Sequence, residues 1–331
     1  MSQSATAIPK THFKQSTFYL FPGQGEQFVG MGKELAEEFP VVKDLLTEAD
    51  DILGFPLSQL CFDGPEEELN ETINAQPAVL AVSIATLAAF NTLIEEQSEH
   101  VADSSVPLQW VAGHSLGEYS ALVAAGALKF SDALLLVRRR GELMKEAGEK
   151  QIGRMAAILG LSDEQVAEIC AQATQSHGTV QIANYNCPGQ IVISGIQEAV
   201  EAAMEHCKEA KAKKVVPLAV SVAAHSQLMA PATEELASAI DAIEIHTPQN
   251  PVIGNTTVQP LTTPIEIKNE LVSQLTGSVR WTETIQLGLD NGISTFVELG
   301  PGKTLNSLVK RIDRKSTRIS LNDPESISQA L

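Results

Sequence analysis

Gly113-His114-Ser115-Leu116-Gly117 has the pattern of a nucleophile elbow. The extended apolar run Leu108-Gln109-Trp110-Val111-Ala112 precedes it, and helix formers and small residues follow from Glu118 to Ala125. A strand that turns sharply into a helix forces the residue at the bend into a strained backbone conformation. Glycines two positions either side let strand and helix approach closely enough to make that bend. The Ser115 oxygen is then exposed, with a helix N-terminus beneath it to stabilise developing negative charge. The alternative is a tight structural turn that happens to contain serine, with His114 an ordinary hydrogen-bonded side chain.

Upstream, Thr17-Phe18-Tyr19-Leu20-Phe21 reads as a strand ending at Pro22-Gly23-Gln24-Gly25, with a helix beginning near Met31. A dinucleotide fingerprint needs a third glycine where this chain has Phe28, so that reading fails. The run Ala78 to Phe90 reads as a buried helix with Pro77 in its first turn, too short to span a bilayer. Strands alternating with helices through Ala147 predict a mainly parallel sheet. After Gly153 the order becomes strand, helix, strand, strand, helix, strand, with Ser162 and Gln165 as a capping box; this is a ferredoxin-like order. The α/β pattern resumes near Val220, with strands at Val252–Asn255 and Thr295–Leu299, and Gly300-Pro301-Gly302 reads as a turn leading into a closing helix. The expected class is therefore α/β: a hydrolase-like, mainly parallel sheet with helices on both faces, plus an inserted ferredoxin-like α+β subdomain. The expected division is a disordered tail over 1–16, a large subdomain from 17–153 and 220–331, and a small one over 154–219.

The 331 residues, 44% hydrophobic and 19% charged, are those of a globular protein with a sizeable core. A net charge of −18 argues against affinity for nucleic acid or anionic membranes, and 5% aromatic content offers no base-stacking platform. Four cysteines without CxxC spacing fit incidental thiols in a reducing compartment. With no secretory apolar core before Thr17, the expected location is the cytoplasm. No metal-ligand pattern stands out.

A serine nucleophile needs a base. Of the seven histidines, His225 is distinctive, because Ser221-Val222-Ala223-Ala224-His225-Ser226 lies where the chain re-enters the larger unit, beside the cleft between the two. A lone histidine serves structure more often than catalysis, and the residues alone leave both roles open. No acid between Ser115 and His225 announces itself as a third member.

Phe21-Pro22-Gly23-Gln24-Gly25, Gly113 to Ser120, Arg140-Gly141, Ala224-His225-Ser226 and Glu298-Leu299-Gly300-Pro301-Gly302 occur in that order. Together they resemble the malonyl-CoA:acyl carrier protein transacylase family, including the acyltransferases that serve polyketide synthases, from Thr17 to the end of the chain. The resemblance implies a Ser115–His225 dyad, with the histidine oriented by the backbone carbonyl of Gln274, whose side chain is expected to matter less. It implies an oxyanion hole from the N–H groups of Leu116 and Gln24, and Arg140 as the reader of a substrate carboxylate. Arg138 and Arg139 then form a solvated basic face. Asn186 matches a position near the thioester, although its sequence also suits a hairpin turn. Ala224 belongs to the segment Val222-Ala223-Ala224-His225, which correlates with extender unit in polyketide enzymes and here matches neither the malonyl nor the methylmalonyl form. Leu116 favours malonyl.

The implied substrate is malonyl-CoA, with no cofactor, and the implied partner is a phosphopantetheinylated acyl carrier protein met by a monomer. Local basic clusters, Lys208, Lys211, Lys213 and Lys214, and Lys303, Lys310, Arg311, Arg314 and Lys315, are the candidate docking points on an acidic chain. Two rivals stand beside this reading. A thioester hydrolase on the same fold needs the serine and histidine but not Arg140. A non-catalytic carrier-docking protein needs none of the three.

Overall fold

The computed structural model describes residues 6–8, 16–97, 109–218 and 222–331. In chain order its strands are β1 Thr17–Phe21, β2 Gln109–Gly113, β3 Gly153–Leu159, β4 Val180–Cys187, β5 Gln190–Ile196, β6 Lys214–Pro217, β7 Val252–Ile253, β8 Pro260–Leu261, β9 Thr295–Leu299 and β10 Thr317–Leu321. Six of them form one sheet in the order β10-β9-β1-β2-β7-β8, parallel except where β8 returns along β7. β1 lies at its centre, and the unbroken apolar run Thr17–Phe21 follows from burial on both faces. Alternate side chains go to opposite sides: Tyr19 and Phe21 join one core with Val111 and Val297, whereas Phe18 and Leu20 join another with Trp110 and Phe296. Helices cover both faces, so the expected class is the observed one.

The remaining four strands form an antiparallel sheet in the order β6-β3-β5-β4, with the helices Asp163–His177 and Gln197–Glu209 packed on it. The Ser162 capping box is present, with Gln165 N–H on the serine hydroxyl and Ser162 N–H on the glutamine oxygen. The free edge of β4 meets the larger unit at Val279, which exchanges backbone hydrogen bonds with Ala183 and Tyr185.

Two expectations need correction. The helix expected to begin at Pro77 runs from Thr72 to Gln97 and carries Pro77 inside it. Proline has no N–H for the carbonyl four residues back, and Arg138 Nη1 donates to that carbonyl, Ile73 O, at 3.0 Å. The helix is also long and apolar enough to cross a membrane, but 89% of its most apolar window is buried within the protein. The second correction concerns the C-terminal end. The helix Thr304–Ile312 does not close the fold; β10 and the helix Pro324–Gln329 follow it. Of the tail, 1–5 and 9–15 lie outside the described residues. Ile8 is buried, with its N–H on Ala124 O at 3.0 Å, and Ala7 O accepts from Asn91 Nδ2 at 2.7 Å. Residues 219–221, where the larger unit was expected to resume, are also outside those described.

Candidate active site

Neighbouring β1 and β2 end in register, Phe21 opposite Gly113, and their C-terminal edge carries both the Pro22-Gly23-Gln24-Gly25 loop and the elbow. A Cβ on Gly113 would meet the Gly117 carbonyl carbon at 1.8 Å, and one on Gly117 would meet Phe21 O at 2.1 Å. Only glycine lets strand and helix touch at this bend, and Ser115 at its apex is held at φ 53°. The helix Gly117–Ala124 starts directly behind it.

His225 also sits in the left-handed region, at φ 56°, and is almost wholly buried. Its Nε2 lies 2.7 Å from Ser115 Oγ. Its Nδ1 faces two carbonyl oxygens, Gln274 O at 2.8 Å and Gly277 O at 3.2 Å. Two acceptors there place the ring proton on Nδ1 and leave Nε2 free to accept the serine proton. Burial, and then the Arg140 charge, push the His225 pKa down to about 3, so the imidazole is neutral at physiological pH. Gln181 Nε2 donates to His225 O at 3.1 Å and to Thr276 O at 2.9 Å, tying the histidine to the smaller sheet.

Arg140 projects from the helix Phe130–Lys150 into the same space and is 2% exposed. The glycine after it permits this, since a Cβ on Gly141 would meet Thr72 O at 2.9 Å where two helices cross. The guanidinium donates to Gln76 Oε1 at 2.8 Å, Gln274 Oε1 at 3.0 Å and Ser115 Oγ at 3.3 Å, and lies over the Tyr119 ring at 5.6 Å. Every one of these acceptors is uncharged. Burial lowers the Arg140 pKa, opposed by the nearby Tyr119 and Glu118. Gln76 Nε2 donates onward to Thr72 Oγ1 at 3.0 Å, and Thr72 Oγ1 to Gln24 Oε1 at 2.9 Å. That chain links the arginine to the Pro22-Gly23-Gln24-Gly25 loop.

The other sequence-derived candidates fall around this centre. Among the described residues, no hydrogen bond from the backbone N–H of Leu116 or Gln24 to another group of the protein is seen. Asn186 lies near the end of β4 rather than in the hairpin turn, and its Oδ1 is 2.8 Å from His114 Nε2. Ala224 is half-buried against the core of the larger unit and against Met155, Ala183 and Val192 of the smaller sheet. Gln274 supplies its carbonyl to His225. Its side chain, expected to be of little account, bonds to Arg140, to Ser115 O through Nε2 at 3.0 Å, and to Glu118.

Arg138 corrects a further expectation: it donates to Ile73 O and Asn74 Oδ1 and stacks over Phe55, so it is no mere solvated face. Arg139 does lie outward, paired with Glu142, Glu146 and Glu235. The Glu298-Leu299-Gly300-Pro301-Gly302 motif is structural. Glu298 is buried and accepts the N–H groups of Leu305 and Asn306 at the start of the helix Thr304–Ile312. Among the described residues no group of three or more His, Cys, Asp or Glu is placed to hold a metal ion.

Residues 18–321 match the family model described as an acyl transferase domain. The malonyl CoA-acyl carrier protein transacylase of Bacillus subtilis is 48% identical over 95% of both chains. That of Escherichia coli K12 is 42% identical over 95% of this chain and 98% of its own. The chain belongs to the malonyl CoA-acyl carrier protein transacylase family. It is an acyltransferase. A malonyl-transacylase solved in complex with a type II PKS acyl-carrier protein superposes with TM-score 0.89, at 43% identity over 96% of this chain and 99% of that one. An acyl carrier protein S-malonyltransferase from Vibrio cholerae gives 0.88 at 44% identity, over 96% and 100%.

Sequence reasoning missed Asn255, Glu118, Gln76, Thr72, Gln181 and Gly277. Asn255 Oδ1 accepts the Ser115 N–H at 2.7 Å and its Nδ2 donates to Gly113 O at 2.7 Å, clamping both sides of the elbow. Its position after β7, the strand beside β2, was the available signal.

Proposed function

We propose that the protein moves a malonyl group from malonyl-CoA to the phosphopantetheine thiol of an acyl carrier protein, through an ester on Ser115, in fatty acid or polyketide synthesis. The names of its relatives support the substrates, and the transacylase solved with its carrier protein supports the partner. In the first half-reaction His225 Nε2 takes the Ser115 proton as Oγ attacks the thioester carbonyl. The tetrahedral intermediate then expels the thiolate, which takes that proton from His225. The carrier thiol reverses these steps. The Leu116 and Gln24 N–H groups stabilise the oxyanion, and the Gln274 and Gly277 carbonyls steady the imidazolium while it exists. Asn186 and Ala224 line the acyl and thioester space.

The observation that carries the reading is the buried Arg140 guanidinium beside the nucleophile, bonded to uncharged acceptors alone. A malonyl carboxylate supplies the missing anion in a bidentate geometry, whereas an acetyl group does not. Neither a thioester hydrolase nor a docking protein needs that cation.

Intact-mass analysis after exposure to malonyl-, methylmalonyl- and acetyl-CoA tests this. Malonyl should appear on the peptide containing Ser115, survive in water, and leave on addition of a phosphopantetheinylated carrier. An ester lost to water as fast as to carrier supports the hydrolase, and full activity in Ser115→Ala rejects the mechanism. Arg140→Ala should lower malonyl kcat/KM about 10²-fold or more relative to acetyl, since breaking a buried charge pair costs roughly 3–5 kcal/mol.

A further inference from the structure

The elbow requires small residues after the serine, yet Glu118 follows it, on the first turn of the next helix and without solvent exposure. Neither the bend nor the dyad chemistry needs an acid there. Its two oxygens face different halves of the site. Oε1 accepts the Asn255 N–H at 2.9 Å, and Asn255 in turn holds the Ser115 N–H and Gly113 O. Oε2 accepts from Gln274 Nε2, whose other end, Oε1, accepts from Arg140 Nη2 at 3.0 Å.

We infer that Glu118 is a positioning residue that sets the Gln274 amide, and through it Arg140, while holding Asn255 behind the nucleophile. This rests on the proposed roles of Ser115 and Arg140. With both oxygens placed as acceptors, Glu118 draws the Gln274 NH₂ group toward itself and leaves the amide oxygen facing the guanidinium. Without that acceptor, the Ser115 carbonyl alone is left to keep the NH₂ group from turning toward Arg140, where donor meets donor. Burial, and then the neighbouring Glu270, push the Glu118 pKa well above the ordinary carboxylate value, opposed by the hydrogen bonds from Asn255 and Gln274 and by the Arg140 charge. Glu270, the other buried acid nearby, is occupied by the N–H and hydroxyl groups of Thr256 and Thr257.

Glu118→Gln tests the inference with little change of shape. Its oxygen can still accept from Asn255, but its NH₂ now faces Gln274 and should flip that amide. Malonyl kcat/KM should fall about 10²-fold and acetyl kcat/KM less than 10-fold, with an unfolding midpoint near that of the wild type. Gln274→Met, which keeps the backbone carbonyl on His225, should lower the malonyl-to-acetyl ratio similarly. The double variant should fall no further than either single one, because both break one chain of contacts. An unchanged ratio in both variants, or losses that multiply in the double, overturns the inference. Should Glu118→Gln not fold, Glu118→Asp, which keeps the carboxyl group but draws it back, takes its place with the same readout. Arg140→Ala is the control. If that variant keeps the wild-type ratio, the carboxylate-reading role itself fails; if it loses the ratio while the Glu118 and Gln274 variants keep it, only the role of Glu118 fails.

Discussion

His225 and Ser115 both occupy left-handed backbone conformations, which side chains other than glycine adopt at a cost in free energy. The histidine adds a second cost, since it is a buried base that stays neutral down to a pKa of about 3. The second cost bears on pH dependence. In the free enzyme an ordinary histidine would impose an acid limb on acylation near pH 6.5, whereas His225 moves it well below pH 6. Stopped-flow acylation from pH 7 downward checks this, and a limb at 6.5 would show that burial does not govern the base. Stability follows the same shift. Between pH 6.5 and about 3 the unfolded chain binds a proton at this histidine and the native protein does not, so native stability falls as pH falls through that window. The contribution is on the order of a few kcal/mol. His225→Gln should therefore lose less stability than wild type between pH 7 and pH 4 in parallel denaturant titrations.

The helix Phe130–Lys150 puts three consecutive arginines in three environments, because successive residues of a helix point about 100° apart. Arg140 enters the site, Arg139 meets exposed acids, and Arg138 caps the carbonyl freed by Pro77 in the neighbouring helix. Their alanine variants should separate accordingly. Arg138→Ala strands the Ile73 carbonyl and should cost about 1–3 kcal/mol in urea unfolding with little change in selectivity. Arg139→Ala removes surface ion pairs and should cost about 0–1 kcal/mol. Arg140→Ala should change selectivity far more than Arg138→Ala does. Equal stability losses at positions 138 and 139 would show that the Pro77 carbonyl finds another partner. The elbow responds differently. Gly117→Ala drives a Cβ into the backbone oxygens of Phe21 and Pro22, at 2.1 and 2.7 Å, which no rotamer change relieves. It should destabilise by roughly 1–3 kcal/mol or more and abolish acylation, as intact mass would show.

In the whole molecule, the parts legible from sequence were those encoded locally. The strand runs, the Ser162 capping box and the glycine spacing around Ser115 each carry their structure within a few residues. What stayed hidden is held by contacts distant in sequence. Asn255 reaches the elbow across 140 residues, and Gln274 reaches Arg140 across 134, with no local pattern to betray either. Pro77 misled because its helix is stabilised from outside, by an arginine 61 positions on.

The basic clusters show the same dependence on long-range placement. Lys208 is already paired with Glu205. Lys213 and Lys214, however, share a surface pocket with Arg311 and with Gly160, Pro188 and Gly189, so the two clusters, far apart in sequence, converge. Pro188, which lines that pocket, lies two residues beyond Asn186, whose Oδ1 meets His114 beside Ser115. With 41 acidic and 23 basic residues, the protein as a whole repels an acidic partner, so any electrostatic recognition of a carrier must be local. Charge reversal at Lys213 plus Lys214, or at Lys310 plus Arg311, should raise KM for an acyl carrier protein while leaving acylation by malonyl-CoA nearly intact. The effect should shrink with added salt, because exposed charges are screened over about 8–10 Å at 0.1–0.15 M ionic strength. Carrier kinetics at low salt that match wild type in both double variants would remove this surface from consideration.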